Sequence, residues 1–102
     1  MHARVVSAQF PTGSDGVAET ATREGMLKIG DMDGNRGTMI LLDRAGGRIL
    51  AVTLWEDEQA MKASEEASSG VRTDAASQAS GKLTGVDYYE VAELGITGPA
   101  TA

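Results

Sequence analysis

"TMILLDRAGGRILAVTLW", residues 38 to 55, reads as two strands folded back on each other across Ala45-Gly46-Gly47, where glycine supplies the backbone freedom of a tight hairpin turn. Alternation along the second arm sets Ile49, Ala51, Thr53 and Trp55 on one face, opposite Leu50, Val52 and Leu54. Both faces are mostly apolar, so both need cover.

Directly after the hairpin, Asp57 stands as a helix N-cap, with Glu58 and Gln59 in the electropositive first turn. Small or apolar residues recur at Ala60, Ala63, Ala67, Val71 and Ala75, which predicts a second helix with a thin, alanine-rich inner face, ending at Gly81. Such a face either lies close against a sheet or leaves a gap where a ligand fits. Residues 86 to 94, "VDYYEVAEL", predict a closing strand with Tyr88 and Tyr89 on opposite faces. Which of the two tyrosines faces the helices is left open by the pattern.

Upstream, "ARVVSAQF" at 3 to 10 predicts a strand with Ala3, Val5, Ser7 and Gln9 on one face and Arg4, Val6, Ala8 and Phe10 on the other. Pro11 and Gly13 end it. Residues 14 to 30 predict a helix capped by Ser14 or Asp15, with Val17, Ala21, Gly25 and Ile29 inward, and 31 to 37, "DMDGNRG", form a turn-rich connector. The order is strand, helix, strand, strand, helix, strand, that of an α+β ferredoxin-like sandwich (βαββαβ). Residues 1 to 94 are read as one domain, and the tail at 95 to 102, "GITGPATA", is expected to be disordered. Two helices cover one face of such a sheet. The other face predicts a homodimer joined sheet to sheet, which a 102-residue chain with 13 glycines needs for an adequate core.

Charge and composition remove several classes of function. The net charge is −6 and the nine Lys and Arg residues are scattered, so no nucleic acid and no anionic membrane is expected as a partner. The longest aliphatic run, Met39-Ile40-Leu41-Leu42, is too short to span a bilayer, and the N-terminal residues lack the apolar segment of a signal peptide, so the cytoplasm is the expected address. There is no cysteine, and the one histidine, His2, lies at the terminus, so no metal site is expected. Any chemistry falls to carboxylates, hydroxyls, amides, arginine, an indole or a phenol.

The segment "GNRGTMILLDRAGGRILAVTLWEDEQAMKASEEA", with its Trp-acid-x-acid step from Trp55 to Glu58, followed later by "YYEVAEL", resembles the antibiotic-biosynthesis-monooxygenase-like proteins of the dimeric α/β-barrel superfamily. The resemblance covers about residues 3 to 94. It implies protomers paired into a dimeric α/β barrel, with a ligand held between each sheet and its helices. It also implies a monooxygenase that uses O2 without cofactors on an aromatic, polyketide-like phenol or anthrone, whose carbanion reduces oxygen directly in a dry cavity. A haem-degrading branch uses a first-strand asparagine, a tryptophan and a helix histidine. Here Trp55 matches, Ser7 stands at the first-strand position, and no histidine follows residue 2. Ala51 stands four residues before Trp55, where oxygenases of the family carry an asparagine. The alternative is a non-catalytic small-ligand-binding or accessory dimer of the same fold.

The candidates for catalysis are therefore Trp55, Ser7 and Tyr89, with Tyr88, Gln9, Met39, Met61 and Arg72 as substrate-binding candidates. Each also has a plain structural reading: Trp55 plugs the end of a sandwich, a buried phenol hydrogen-bonds, the methionines fill gaps in the core, and Arg72 is solvated. Glu56, Asp57 and Glu58 are accounted for by capping, and Glu65 and Glu66 by solvation. "DMDGNR" begins like a calcium loop but has Arg36 at its sixth position and Leu42 at its twelfth, where glycine and glutamate belong.

Overall fold

The computed structural model describes residues 1–98. In chain order the elements are β1 (His2–Gln9), α1 (Asp15–Gly30), β2 (Asn35–Asp43), β3 (Arg48–Trp55), α2 (Glu58–Ala63), α3 (Glu65–Gln78) and β4 (Lys82–Glu90). The strands form one antiparallel sheet in the order β2-β3-β1-β4, with the helices on one side. This is the expected α+β ferredoxin-like layout.

Arg4, Val6 and Ala8 of β1, Phe10 just after it, and Ile49, Ala51, Thr53 and Trp55 of β3 point toward the helices. Two clusters of buried side chains fill that layer. One holds Met26, Ile29, Ala51, Trp55 and Met61; the other holds Phe10, Ala18, Ile49 and Ala79. On the other side of the sheet Met39, Leu41 and Tyr89 are 50%, 44% and 55% exposed, so this chain alone leaves that face uncovered.

Three local expectations need correction. The inward face of α1 includes Ala18 and Met26, whereas Val17 is exposed. The predicted second helix is two helices. Ser64 interrupts it, since the carbonyl of Met61 accepts from the Ser64 hydroxyl at 2.8 Å and from Arg4 Nη2 at 2.7 Å, and side chains that take a ladder carbonyl bend or break a helix. Its inner face carries Met61, Ser64 and Ser68, while Ala63 and Ala67 are exposed. The alanines misled because buried partners for Ser64 lie far away in sequence. Thirdly, the last strand runs from Lys82 to Glu90 rather than from 86 to 94. Ser7 pairs with Gly85 and Ala8 with Leu83, so Thr84 bulges and hides the alternation. Residues 91–98 contain no helix or strand; of the tail expected to be disordered, 99–102 lie outside the described residues.

Asp57 caps α2 as expected, accepting from the Ala60 backbone N–H at 2.7 Å. The turn before β2 brings Gly34, at φ +80°, so close to the same helix that an added Cβ would sit 2.5 Å from the Cβ of Ala60. At the end of α3 the chain reverses through Ser80 at φ +51°, with Gly81 N–H donating to the Ala76 carbonyl at 2.7 Å and Ser80 N–H to that of Ser77 at 3.2 Å. That is a Schellman closure with serine where glycine is preferred. Ser80→Gly is expected to raise stability by about 1 kcal/mol, seen as a rise of roughly 4–8 °C in Tm by calorimetry.

Candidate functional site

The helix-facing layer does not close completely. Gly25 of α1, Ala51 of β3 and Ala75 and Ala76 of α3 present almost no side chain, and a cavity of about 50 Å³ separates the two halves of the core. Val6, Phe10, Ile49, Val71 and Leu83 make most of its wall apolar. A smaller space of about 20 Å³ shares Val6, Met26, Ala51 and Arg72 with it and is lined in addition by Arg4, Thr53 and Ser68. By this measure a water needs about 10–15 Å³, so the larger cavity has room for a small fragment, and a bulkier ligand requires α3 to lift.

The polar end is built around Arg4, which is only 1% exposed. Its Nη2 donates to the Met61 carbonyl at 2.7 Å and to Ser64 Oγ at 3.0 Å. Glu65 Oε2 lies 2.9 Å from the same nitrogen, an ion pair outside hydrogen-bond geometry because Nη2 is already committed. Glu65 Oε1 accepts from Arg72 Nη2, so one carboxylate sits between two guanidiniums. Arg4 Nε and Nη1 and Arg72 Nη1 are buried and find no acceptor among the described residues.

The guanidinium of Arg4 also lies 5.4 Å from the centroid of the Trp55 ring and 5.9 Å from that of Tyr88, within cation–π range. Burial pulls the Arg4 guanidinium below its ordinary value, with Glu65 opposing and Arg72 adding to the shift. Burial likewise pushes the Glu65 carboxyl up, but the hydrogen bond from Arg72 and the charges of both arginines outweigh it and hold Glu65 below the usual carboxylate range.

The sheet divides the sequence-predicted residues into two groups. Trp55, Met61, Arg72 and Tyr88 lie on the helix side. Ser7, Met39 and Tyr89 lie on the uncovered side, because Ser7 alternates with Val6 and Ala8, Met39 pairs with Val52, and Tyr89 pairs with Ala3. Of the three catalytic candidates Trp55 alone lies beneath the helices, and of the two tyrosines, whose facing the sequence left open, it is Tyr88 that does so. Gln9, exposed at the end of β1, reaches only the cavity rim. Trp55 has no exposed surface, and its indole N–H donates to Thr53 Oγ1 at 2.9 Å; it supports Arg4 rather than lining the cavity itself.

Arg72, a substrate-binding candidate with solvation as its plain reading, and Glu65, read as solvated, both join the network around Arg4, with side chains 13% and 34% exposed. Arg4 was missed as a site residue altogether. Its signal was present: a lone arginine in the alternation that carries Val6, Ala8 and Phe10 inward.

This combination of a β2-β3-β1-β4 sheet with a helical layer on one face is the fold of the antibiotic-biosynthesis-monooxygenase-like domains. Among solved structures, the chain superposes on a candidate antibiotic biosynthesis monooxygenase from Deinococcus radiodurans with a TM-score of 0.72 and 19% identity, over 96% of this chain and 100% of that one. It is similar to SnoaB, a cofactor-independent oxygenase from Streptomyces nogalater, at a TM-score of 0.67 and 15% identity, over 91% and 95% of the two chains. The haem degrader MhuD of Mycobacterium tuberculosis superposes at 0.66 with 20% identity, over 93% and 100%. At these identities the likeness is one of fold. No family profile matches the sequence. In sequence, the chain is 36% identical over 69 residues to the uncharacterised proteins Rv2557 and MT2634 of Mycobacterium tuberculosis, a match that covers 68% of this chain and 30% of each relative. The chain thus spans less than a third of the curated relatives it matches.

No helix among the described residues is long and apolar enough to cross a membrane.

Proposed function

We propose that the chain is a cofactor-independent oxygenase acting on a small, electron-rich aromatic substrate held between the sheet and α3. The observation that carries this reading is the apolar cavity with two guanidiniums at its polar end, that of Arg4, which is buried, and that of Arg72, which is 13% exposed. In such chemistry an acidic C–H of the substrate loses its proton, and the resulting carbanion–enolate passes electrons to O2 and forms a C–O bond. Loss of water from the hydroperoxide then leaves a quinone-type product. A fixed cation in a water-poor pocket favours the enolate at the moment it forms. Trp55 acts as a positioning residue, bracing Arg4 from below. The reading is supported by the fold shared with SnoaB, a cofactor-independent oxygenase.

We further propose that two copies pair through the uncovered sheet face, on which Met39, Leu41 and Tyr89 are exposed. Ser7 and Tyr89 would then meet the partner rather than the substrate.

A second reading, a non-catalytic ligand-binding dimer, is favoured by Glu65. It is the carboxylate at the polar end, and its two ion pairs hold it ionised and weakly basic, whereas a general base works best with a pKa near the operating pH. A haem role is not supported. His2, the one histidine, lies at the start of β1, 3.6 Å from Glu58, and no imidazole lines the cavity.

Oxygen uptake with a panel of anthrones and naphthols decides between these readings. For an oxygenase, consumption tracks protein concentration and falls on the order of tenfold or more in Ala51→Leu, which fills the cavity from β3 while the apolar surroundings accept the larger side chain. Ligand binding without uptake selects the accessory reading, and neither binding nor uptake overturns both.

A further inference from the structure

We infer that the cavity recognises an anionic ligand, a carboxylate or an equally planar oxyanion carried on a small apolar ring, with Arg4 and Arg72 as its anchoring residues. This rests on the reading of the cavity as a ligand site and narrows the class of molecule it takes.

The first argument is charge. Two guanidiniums, that of Arg4 buried and that of Arg72 13% exposed, face a single carboxylate, that of Glu65, so the cluster carries an excess positive charge. The neighbouring Glu58 does not offset it, because it pairs with Lys62 at 2.7 Å on the surface of α2. The other polar residues lining this end, Thr53 and Ser68, are neutral, and the Thr53 hydroxyl already accepts the indole N–H of Trp55. A net charge removed from water is stabilised when a counter-charge joins it.

The second argument is unmet hydrogen bonding. Buried polar groups almost always find partners, yet Nε and Nη1 of Arg4 and Nη1 of Arg72 face no acceptor among the described residues. Arg4 is also fixed in place. Its Nη2 is tied to Met61 and Ser64, and its plane rests near Trp55, so its remaining N–H groups are oriented before a ligand arrives. Each free N–H can give a carboxylate oxygen a charge-assisted hydrogen bond, and pre-organisation lowers the entropy cost of binding. A bare inorganic anion would satisfy these donors but leave unused the apolar wall made by Phe10, Ile49, Val71 and Leu83.

The test is a titration of the full chain with benzoate, benzamide and phenol, followed by calorimetry and by the fluorescence of Trp55, the one tryptophan. Benzoate is expected to bind roughly tenfold or more tightly than benzamide, with the preference lost in Arg72→Met and benzamide binding retained. Because Arg4 also holds the junction of α2 and α3, Arg72→Met carries the test, with circular dichroism confirming its fold and Ala51→Leu blocking all three ligands. Equal affinity for benzoate and benzamide, or a preference for benzoate that survives in Arg72→Met, overturns the anion assignment and leaves the cavity reading standing. Failure of all three ligands to bind overturns both.

Discussion

Trp55→Ala is expected to lose about 3–5 kcal/mol of stability, a large part of what a domain of this size possesses. The ring is fully buried in the cluster with Met26, Ile29, Ala51 and Met61, and its removal leaves a hole that these neighbours can only partly fill. Two polar consequences add to the lost packing. Thr53 Oγ1 loses the indole N–H it accepts at 2.9 Å, and the buried Arg4 loses the aromatic surface 5.4 Å away. Trp55→Phe keeps most of the apolar contact and should cost less, about 1–2 kcal/mol. Urea unfolding followed by circular dichroism measures both; a loss in Trp55→Ala under about 1 kcal/mol would contradict a ring at the centre of the core.

Glu65→Ala is the second large effect, roughly 2 kcal/mol, a figure reduced from that of a fully buried pair because the carboxylate is a third exposed. Removing it leaves Arg4 and Arg72 facing each other with no intervening negative charge. Glu66→Ala, one residue along on the exposed side, should change stability by no more than about 0.5 kcal/mol. The pH dependence follows from the direction of the shift. Because the folded protein holds Glu65 below its ordinary value, the native state keeps the carboxyl ionised at pH values where the unfolded chain takes up a proton. Its contribution is complete above the unfolded value and disappears as pH falls through the folded one. The gap in Tm between the parent and Glu65→Gln should accordingly be wide at neutral pH and close under acid. A gap that stayed constant would show that Glu65 is not the group being titrated.

Much of the architecture was legible because it rests on local signals. Gly46-Gly47 marks a turn by backbone sterics, the alternation around Ile49 and Trp55 marks a two-sided strand, and Asp57 marks a helix start by the bond its side chain makes three residues on. The candidate site was less legible. Trp55, Met61, Arg72 and Tyr88 share the helix side, but Ser7, Met39 and Tyr89 do not. The rule that polar residues lie outside hid Arg4, Ser64 and Ser68, all of them buried. Each is accommodated by its surroundings: Arg4 bonds across 57 and 60 residues of sequence to Met61 and Ser64, and Ser68 bonds to the sulfur of Met32. No periodicity within one element can announce such pairings.

From its sequence alone, then, this chain determined its elements, their order and hence the class of its fold, since strand period, helix caps and glycine turns act over a few neighbouring residues. Tertiary structure alone decided which face of β1 meets the helices, which tyrosine accompanies Arg4, and where α2 gives way to α3. Those outcomes depend on whether a buried charge finds partners, and only when distant segments come together does Arg4 acquire Trp55 beneath it, Glu65 beside it and a place in the wall of a cavity.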